Sequence, residues 1–219
     1  MSFSRLPRHV GFIPDGNRRW ARARGLPPGD GYAAGLEPGF RLMQCCRELG
    51  IEEVSIYGFT KENVHRPAAQ VDAFRKACAK FGRYAIEAGV ALLVVGDTRS
   101  ALFPDELRPF TEQRTEGDIR VNFLVNYGWQ WDLHTALKHA QQMENLPFSS
   151  TNDVLASRQV SRIELVVRWG GRARLSGFLP LQSAYADFYS LETLWPEMRP
   201  EEFLTALDWY QTQDVTMGG

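Results

Sequence analysis

Five short runs of β-branched and aromatic residues recur along this chain, each parted from the next by a longer stretch whose apolar residues fall at helical spacing. The runs are His9–Pro14, Val54–Phe59, Ala91–Gly96, Ile119–Asn126 and Ile163–Trp169, with a weaker sixth near Phe188–Leu191. Several are apolar throughout rather than alternating, as strands are when both faces of their sheet are covered. Between them Leu36, Phe40, Met43 and Cys46 keep a helical period, as do Val71, Phe74, Cys78, Phe81 and Ala85, and near the end Phe203, Leu207 and Tyr210. Parallel neighbours need long crossover connections, so this alternation predicts an α/β fold built on parallel strands joined by helices. Pro200 followed by Glu201 and Glu202 marks the start of the last helix. At 219 residues one domain spanning 1–219 is expected. There is no internal repeat or low-complexity tract, and the Ser-, Thr- and Asn-rich stretch from Pro147 to Asp153 is expected to be a surface loop.

The charge balance narrows the partners. Lys and Arg total 25 against 26 Asp and Glu, a net charge of −1, which excludes a chain whose whole surface grips a polyanion. The basic residues are unevenly chosen and placed. Only Lys61, Lys76, Lys80 and Lys138 are lysines, and the arginines cluster at Arg18–Arg24 and Arg168–Arg174. A GC-rich genome would account for the ratio but not for the clustering, whereas the planar guanidinium fork suits phosphate. Three cysteines, Cys45, Cys46 and Cys78, fit neither a disulfide framework nor a metal motif and predict reduced thiols in a cytoplasmic protein. No stretch approaches the ~20 apolar residues of a membrane span, so neither an anchor nor a signal peptide is expected.

Two segments carry the chemistry. HVGFIPDGNRRWARARG, His9 to Gly25, places Asp15, Gly16, Asn17, Arg18 and Arg19 just after the first strand, at the sheet edge where open α/β folds bind ligands. Gly16 permits a tight turn, Arg19 offers a fork for phosphate, and Asp15 can hold a divalent cation that bridges to that phosphate. RWGGRARLSGF, Arg168 to Phe178, again follows a strand and supplies Arg168, Arg172, Arg174 and Ser176, a second anion site. Two such sites on one edge point to two phosphorylated substrates; the alternative is a pair of surface turns with solvated arginines. Asp187, close behind, reads either as a salt-bridge partner of the arginines or as a metal ligand.

HVGFIPDGNRRWA, YGFTKENVHRP and VVRWGGRARLSGF with QSAYADFY and LWPE resemble, in order and spacing, the signature regions of the cis-prenyltransferases, the undecaprenyl diphosphate synthase family. The resemblance implies a six-stranded, mainly parallel sheet, a homodimer, Mg²⁺ and isoprenoid diphosphate substrates, with no nucleic acid and no membrane anchor. By position it implies that Asp15 holds Mg²⁺ and assists departure of the allylic diphosphate, and that Gly16, Asn17, Arg18 and Arg19 bind that diphosphate. It likewise implies that Thr60, Asn63 and Arg66 are polar site residues with Asn63 linked to catalysis, that Arg168, Arg174 and Ser176 grip the second diphosphate, and that Asp187 contributes to the metal site.

The departures from the pattern matter as much. Pro28 and Tyr32 stand where relatives carry the Arg and His of R-x-x-G-H, and Tyr32 is therefore expected at the substrate. Trp169 and Arg172 replace the Thr and Glu of R-T-G-G-E-x-R, Val64 replaces the Trp of SSENW, and NYGGR reads Asn126-Tyr127-Gly128-Trp129-Gln130. Since several of these changes flank the second-substrate segment, they are expected to alter which second substrate is taken. The DGYAA stretch and the Phe178-Leu179-Pro180-Leu181 turn resemble the lavandulyl-type synthases of actinomycetes, which imply irregular head-to-middle coupling of two allylic diphosphates. Regular coupling with isopentenyl diphosphate and a non-catalytic partner subunit are the alternatives. Phe74, Phe81 and Tyr84 lie on the helix that borders the product tunnel in this fold, and either plug it or pack the core.

Other features are read as structural. GDGYAAG lacks the spacing and the preceding strand of a dinucleotide fingerprint. His134 and His139 are five apart, off one helical face for a metal. His65 is placed at the substrate or the surface, His9 as a hydrogen-bond partner, and Trp195, Trp209 and Tyr210 in the core or a dimer surface.

Overall fold

The strands form wherever β-branched runs are buried on both sides, and a computed structural model, which describes residues 3–141 and 152–214, shows how they associate. Strands β1 (His9–Ile13), β2 (Glu53–Tyr57), β3 (Ala91–Val95), β4 (Arg120–Leu124), β5 (Leu165–Arg168) and β6 (Asp187–Ser190) pair in the order β3-β4-β2-β1-β5-β6. Every pairing is parallel, so the expected sheet is present, and among the described residues no antiparallel strand joins it. The connections carry helices α1 (Asn17–Ala23), α2 (Asp30–Ala34), α3 (Leu36–Glu48), α4 (Ala68–Glu87) and α5 (Trp129–Ala140), and α6 (Pro200–Tyr210) closes the fold. α6 begins as its sequence predicts, with Pro200 first and the Glu202 carboxylate accepting from the Arg199 backbone N–H. Most of the stretch expected as a surface loop, Pro147 to Asp153, lies outside the described residues; Asn152 and Asp153 are exposed.

Side chains alternate across the sheet and build two cores. Val10, Phe12, Val54, Ile56, Leu92, Val94, Val121 and Phe123 face α3, α4 and α6, packing on residues such as Leu42, Phe81 and Phe203. Ile13, Tyr57, Leu93, Val95, Leu124 and Val166 face the other way, onto Tyr127, Phe178 and Leu179. Each fully buried large side chain contributes roughly 2–3 kcal/mol of transfer free energy, which is why these runs read as continuously apolar. The connection from β1 runs to β2 on one side while β5 returns on the other, so the crevice of a topological switch opens above the carboxyl end of β1.

At the opposite, amino-terminal end of β1, β2 and β4 the second core contains a polar inlay. Asn122 donates to Glu53 at 2.6 Å and to the Ser55 hydroxyl at 3.0 Å, and accepts from Arg114 at 2.6 Å. His9 Nδ1–H donates to the Ser161 carbonyl at 3.1 Å, an oxygen that can only accept, and Nε2 accepts a hydrogen bond from the Ser55 hydroxyl at 2.9 Å. The ring is therefore the neutral tautomer, a structural partner as the sequence indicates. Burial lowers its pKa from 6.5 to about 4, against the opposing pull of Glu53. An unfolded chain binds this proton more readily, so the stabilising contribution is full above about pH 6.5 and is lost as pH falls from there toward 4. Urea unfolding should give a stability that declines through that window, and His9→Gln should flatten the decline; an unchanged slope would refute the assignment.

Candidate active site

β1 ends at Ile13 because Pro14 has no N–H to continue the ladder. Asp15 and Gly16 then turn the chain, Gly16 adopting φ 107° with a tight approach to Leu194, and its N–H donates to Asp15 Oδ1 at 2.6 Å. Register supplies the second half of the site. Ile13 lies beside Arg168, the last residue of β5, and the Arg168 guanidinium reaches Asp15 Oδ2 at 2.8 Å while donating to the Ser176 hydroxyl at 2.8 Å and to the Arg174 carbonyl. The two arginine-rich segments thus form one site, joined by an ion pair whose arginine is 4% exposed. Arg19 donates to the Gly170 carbonyl at 2.7 Å and stands 3.5 Å from Asp15. Burial alone would raise the Asp15 pKa, but the hydrogen bond and charge of Arg168, then Arg19 and the Gly16 N–H, hold it below the ordinary carboxylate value.

These residues open onto a cavity of about 700 Å³ whose two ends differ in chemistry. One end is cationic: Arg18, Arg19, Arg22, Arg66, Arg168, Arg172 and Arg174 line it against two carboxylates, Asp15 and Glu62. The other end is apolar, with Phe74, Ala77, Cys78 and Phe81 from one face of α4 meeting Ile56 and Phe123. Gly16, Asn17, Tyr32, Thr60, Asn63 and Ser176 also line it. Asn63 is buried and donates to the Thr60 hydroxyl, and Arg66 Nη1 donates to the Tyr32 hydroxyl at 2.8 Å. Burial of Arg66 lowers its pKa, partly offset by Tyr32.

The structure corrects several expectations. Asp187 is not brought to the cavity: it is the first residue of β6, in register with Leu165, whereas Arg168 pairs with Ser190, and the charge that acts on it is Arg5. Trp169 does not shape the pocket directly, because the residue after Arg168 points to the opposite side of the sheet. It is fully buried with its ring 4.9 Å from that of Trp195, and it is Trp195 that lines the cavity. Of the two alternatives open for the α4 aromatics, Tyr84 takes core packing, stacked on Phe40 outside the cavity, while Phe74 and Phe81 line it. His65 is exposed and outside it. Arg22, Tyr57 and Glu62 also line the cavity, none of them marked individually by a motif. Arg22 stands one helical turn beyond Arg18, and Tyr57 ends β2 at the same sheet edge as Asp15, so both carried a signal; Glu62 carried none beyond its place beside Asn63.

Gly170 places Arg19. At φ 88° a Cβ there would lie 2.5 Å from Arg19 Nη2 and 3.0 Å from the Asp15 carbonyl oxygen. Gly170→Ala should weaken binding of inorganic pyrophosphate about tenfold by calorimetry, with an unchanged far-UV spectrum; undiminished binding would remove this role.

The undecaprenyl diphosphate synthase family model matches residues 13–218. Curated relatives named isoprenyl transferase include those of Thermus thermophilus, 32% identical with 97% of this chain and 89% of the relative covered, and of Leptospira interrogans, 31% identical with 99% and 96% covered. That of Listeria innocua is 33% identical over 98% of this chain and 91% of its own. Among solved structures, lavandulyl diphosphate synthase from Lavandula x intermedia, in complex with dimethylallyl diphosphate, superposes with a TM-score of 0.87 at 21% identity over 97% of this chain and 98% of that one, a likeness of fold. With the sheet, the Asp15 turn and the Arg168 segment in place, the chain belongs to the undecaprenyl diphosphate synthase family, the cis-prenyltransferases.

Proposed function

We propose that this prenyltransferase condenses two short isoprenoid diphosphates, a dimethylallyl diphosphate acceptor with a dimethylallyl or geranyl donor, and that it joins them head to middle. The observation that carries the first part is the division of one cavity into a seven-guanidinium end and an aromatic end, the chemistry of anionic heads with prenyl tails. The floor of Phe74, Phe81 and Phe123 supports a short product. Arg172 supports the irregular part: it lines the cavity where the family pattern carries Glu, so the acceptor end gains a cation and loses an anion. The regular head-to-tail reading is equally consistent with relatives named isoprenyl transferase that match almost the whole chain.

Asp15 fits a magnesium ion that arrives with the substrate. It is an ionised carboxylate facing the cavity, and among the described residues no three acidic, His or Cys side chains cluster, so diphosphate oxygens and water would complete the shell. Bound there, the ion would neutralise charge on the departing diphosphate. The chain's own residues do the rest. Arg19, held on the Gly170 carbonyl, together with Arg18 and Arg66 of the same cavity, stabilises the charge that develops as the donor C1–O bond breaks. Arg168, Arg174 and Ser176 hold the acceptor so that its C2 bonds to donor C1, which leaves a tertiary cation. A proton then passes to a diphosphate oxygen, and the apolar wall keeps water from the cation. A homodimer is part of the proposal, supported by the exposed Leu133 and Leu137 one turn apart on α5. Among the described residues no helix is long and apolar enough to cross a membrane.

Incubation with Mg²⁺ and dimethylallyl or geranyl diphosphate, with and without isopentenyl diphosphate, should yield a branched diphosphate in its absence. A linear product made only when isopentenyl diphosphate is present would sink the irregular reading, and no turnover with any pair alongside tight binding to an active relative would make this a partner subunit. Asp15→Ala should lower turnover on the order of 10³-fold with the fold retained by circular dichroism, and full activity would refute its role.

A further inference from the structure

The GDGYAAG segment has the composition of a binding loop yet contacts no dinucleotide site, and its packing gives it another role. α2 presses against the diphosphate turn through two glycines. A Cβ on Gly31 would lie 2.0 Å from the Asn17 carbonyl oxygen, and one on Gly35 would lie 2.4 Å from Asn17 Oδ1 and 2.7 Å from Trp195. Both approaches exclude any larger residue without displacing backbone or a buried ring. Between these glycines Tyr32, 5% exposed, reaches across the cavity wall. Its ring stacks on Phe74 with centroids 4.3 Å apart and planes 6° from parallel, and its hydroxyl accepts from Arg66 Nη1 at 2.8 Å. The Arg66 guanidinium lies 5.9 Å from the Tyr32 centroid and 5.7 Å from that of Phe74. Among the described residues Arg66 has no carboxylate within 4 Å, so this phenol is the group that aims its fork.

We infer that Tyr32 is a positioning residue that couples the two ends of the cavity: its hydroxyl sets Arg66 for an allylic diphosphate, and its ring fixes Phe74 as the stop for the prenyl chain. One side chain thereby ties head recognition to tail length. The inference rests on the proposed prenyl diphosphate synthase activity and deepens it. The two contacts are separable by substitution. Tyr32→Phe keeps the stack and removes the acceptor; Tyr32→Leu removes both while keeping an apolar side chain at a buried position.

The test uses the full chain with dimethylallyl diphosphate as acceptor and dimethylallyl, geranyl or farnesyl diphosphate as donor, steady-state kinetics, product-length analysis, and calorimetric binding of inorganic pyrophosphate as a readout independent of turnover. Tyr32→Phe should raise KM for the allylic diphosphate and weaken pyrophosphate binding, each about tenfold, and lower kcat as well, because Arg66 also stabilises the departing diphosphate, with product length unchanged. Tyr32→Leu should show the same loss of affinity and take a donor at least one isoprene unit longer than the wild-type protein takes, releasing a correspondingly longer product. A thermal melt of each variant identifies any loss caused by unfolding, and Tyr32→Phe, which preserves the packing, decides the hydroxyl's role on its own. Unchanged KM and pyrophosphate affinity in Tyr32→Phe would overturn the coupling to Arg66, and unchanged product length in folded Tyr32→Leu would overturn the coupling to Phe74. A wild-type protein that turns over no allylic diphosphate would instead refute the activity itself.

Discussion

The contact between Arg168 and Asp15 spans 153 residues of sequence and 2.8 Å of space, and the site is assembled around it. It exists because β1 and β5 are parallel neighbours with Ile13 beside Arg168, so the residues that follow each strand emerge on the same edge. Arg168 is almost fully buried, and a buried guanidinium without a carboxylate would be costly; Asp15 offsets that cost while remaining open to the cavity. The same pair determines the protonation of Asp15. A carboxylate flanked by Arg168 and Arg19 stays ionised, ready for a cation or for exchange of its arginine partner with an incoming diphosphate.

From that junction the cavity takes its polarity. The strand ends and the loops after them deliver arginines, because backbone turning at a sheet edge leaves long polar side chains free to reach over the crevice. The interior face of α4 delivers Phe74, Ala77, Cys78 and Phe81, because those positions repeat at helical spacing on the side that covers the sheet. A substrate with an anionic head and an apolar tail has only one orientation in such a space. Trp195 spans the two regimes, lining the cavity while its Nε1–H donates to the Gly35 carbonyl at 2.7 Å, and Trp169 supports it from behind. The departure from the family pattern at Trp169 therefore acts through the core rather than by contact with substrate.

The far end of the sheet is built on the opposite logic. His9, Glu53, Ser55 and Asn122 are buried, and each finds partners within the inlay or in Ser161, Arg114 and Arg120. The inlay fixes how β1, β2 and β4 align, since a register slip would leave several buried polar groups unpaired. Register set at that end is what places Asp15, Tyr57 and Arg168 together at the other.

The sequence by itself determined the six strands, the helices between them and the edge on which chemistry resides, because burial on both faces imposes continuous apolar runs and helices impose a 3.6-residue period, both local properties. It also indicated Asp15, Asn63, Arg66 and Arg168, which the fold brings to one cavity, through motifs that lie just after strands. Tertiary structure alone decided what those residues face. That Arg168 grips Asp15, that Asp187 lies away from the cavity while Arg22 and Glu62 line it, that Trp169 points into the core, and that Tyr32 bridges Arg66 and Phe74 all depend on strand register and helix packing. Those relations join residues tens to hundreds of positions apart, and no local periodicity encodes the distance between them.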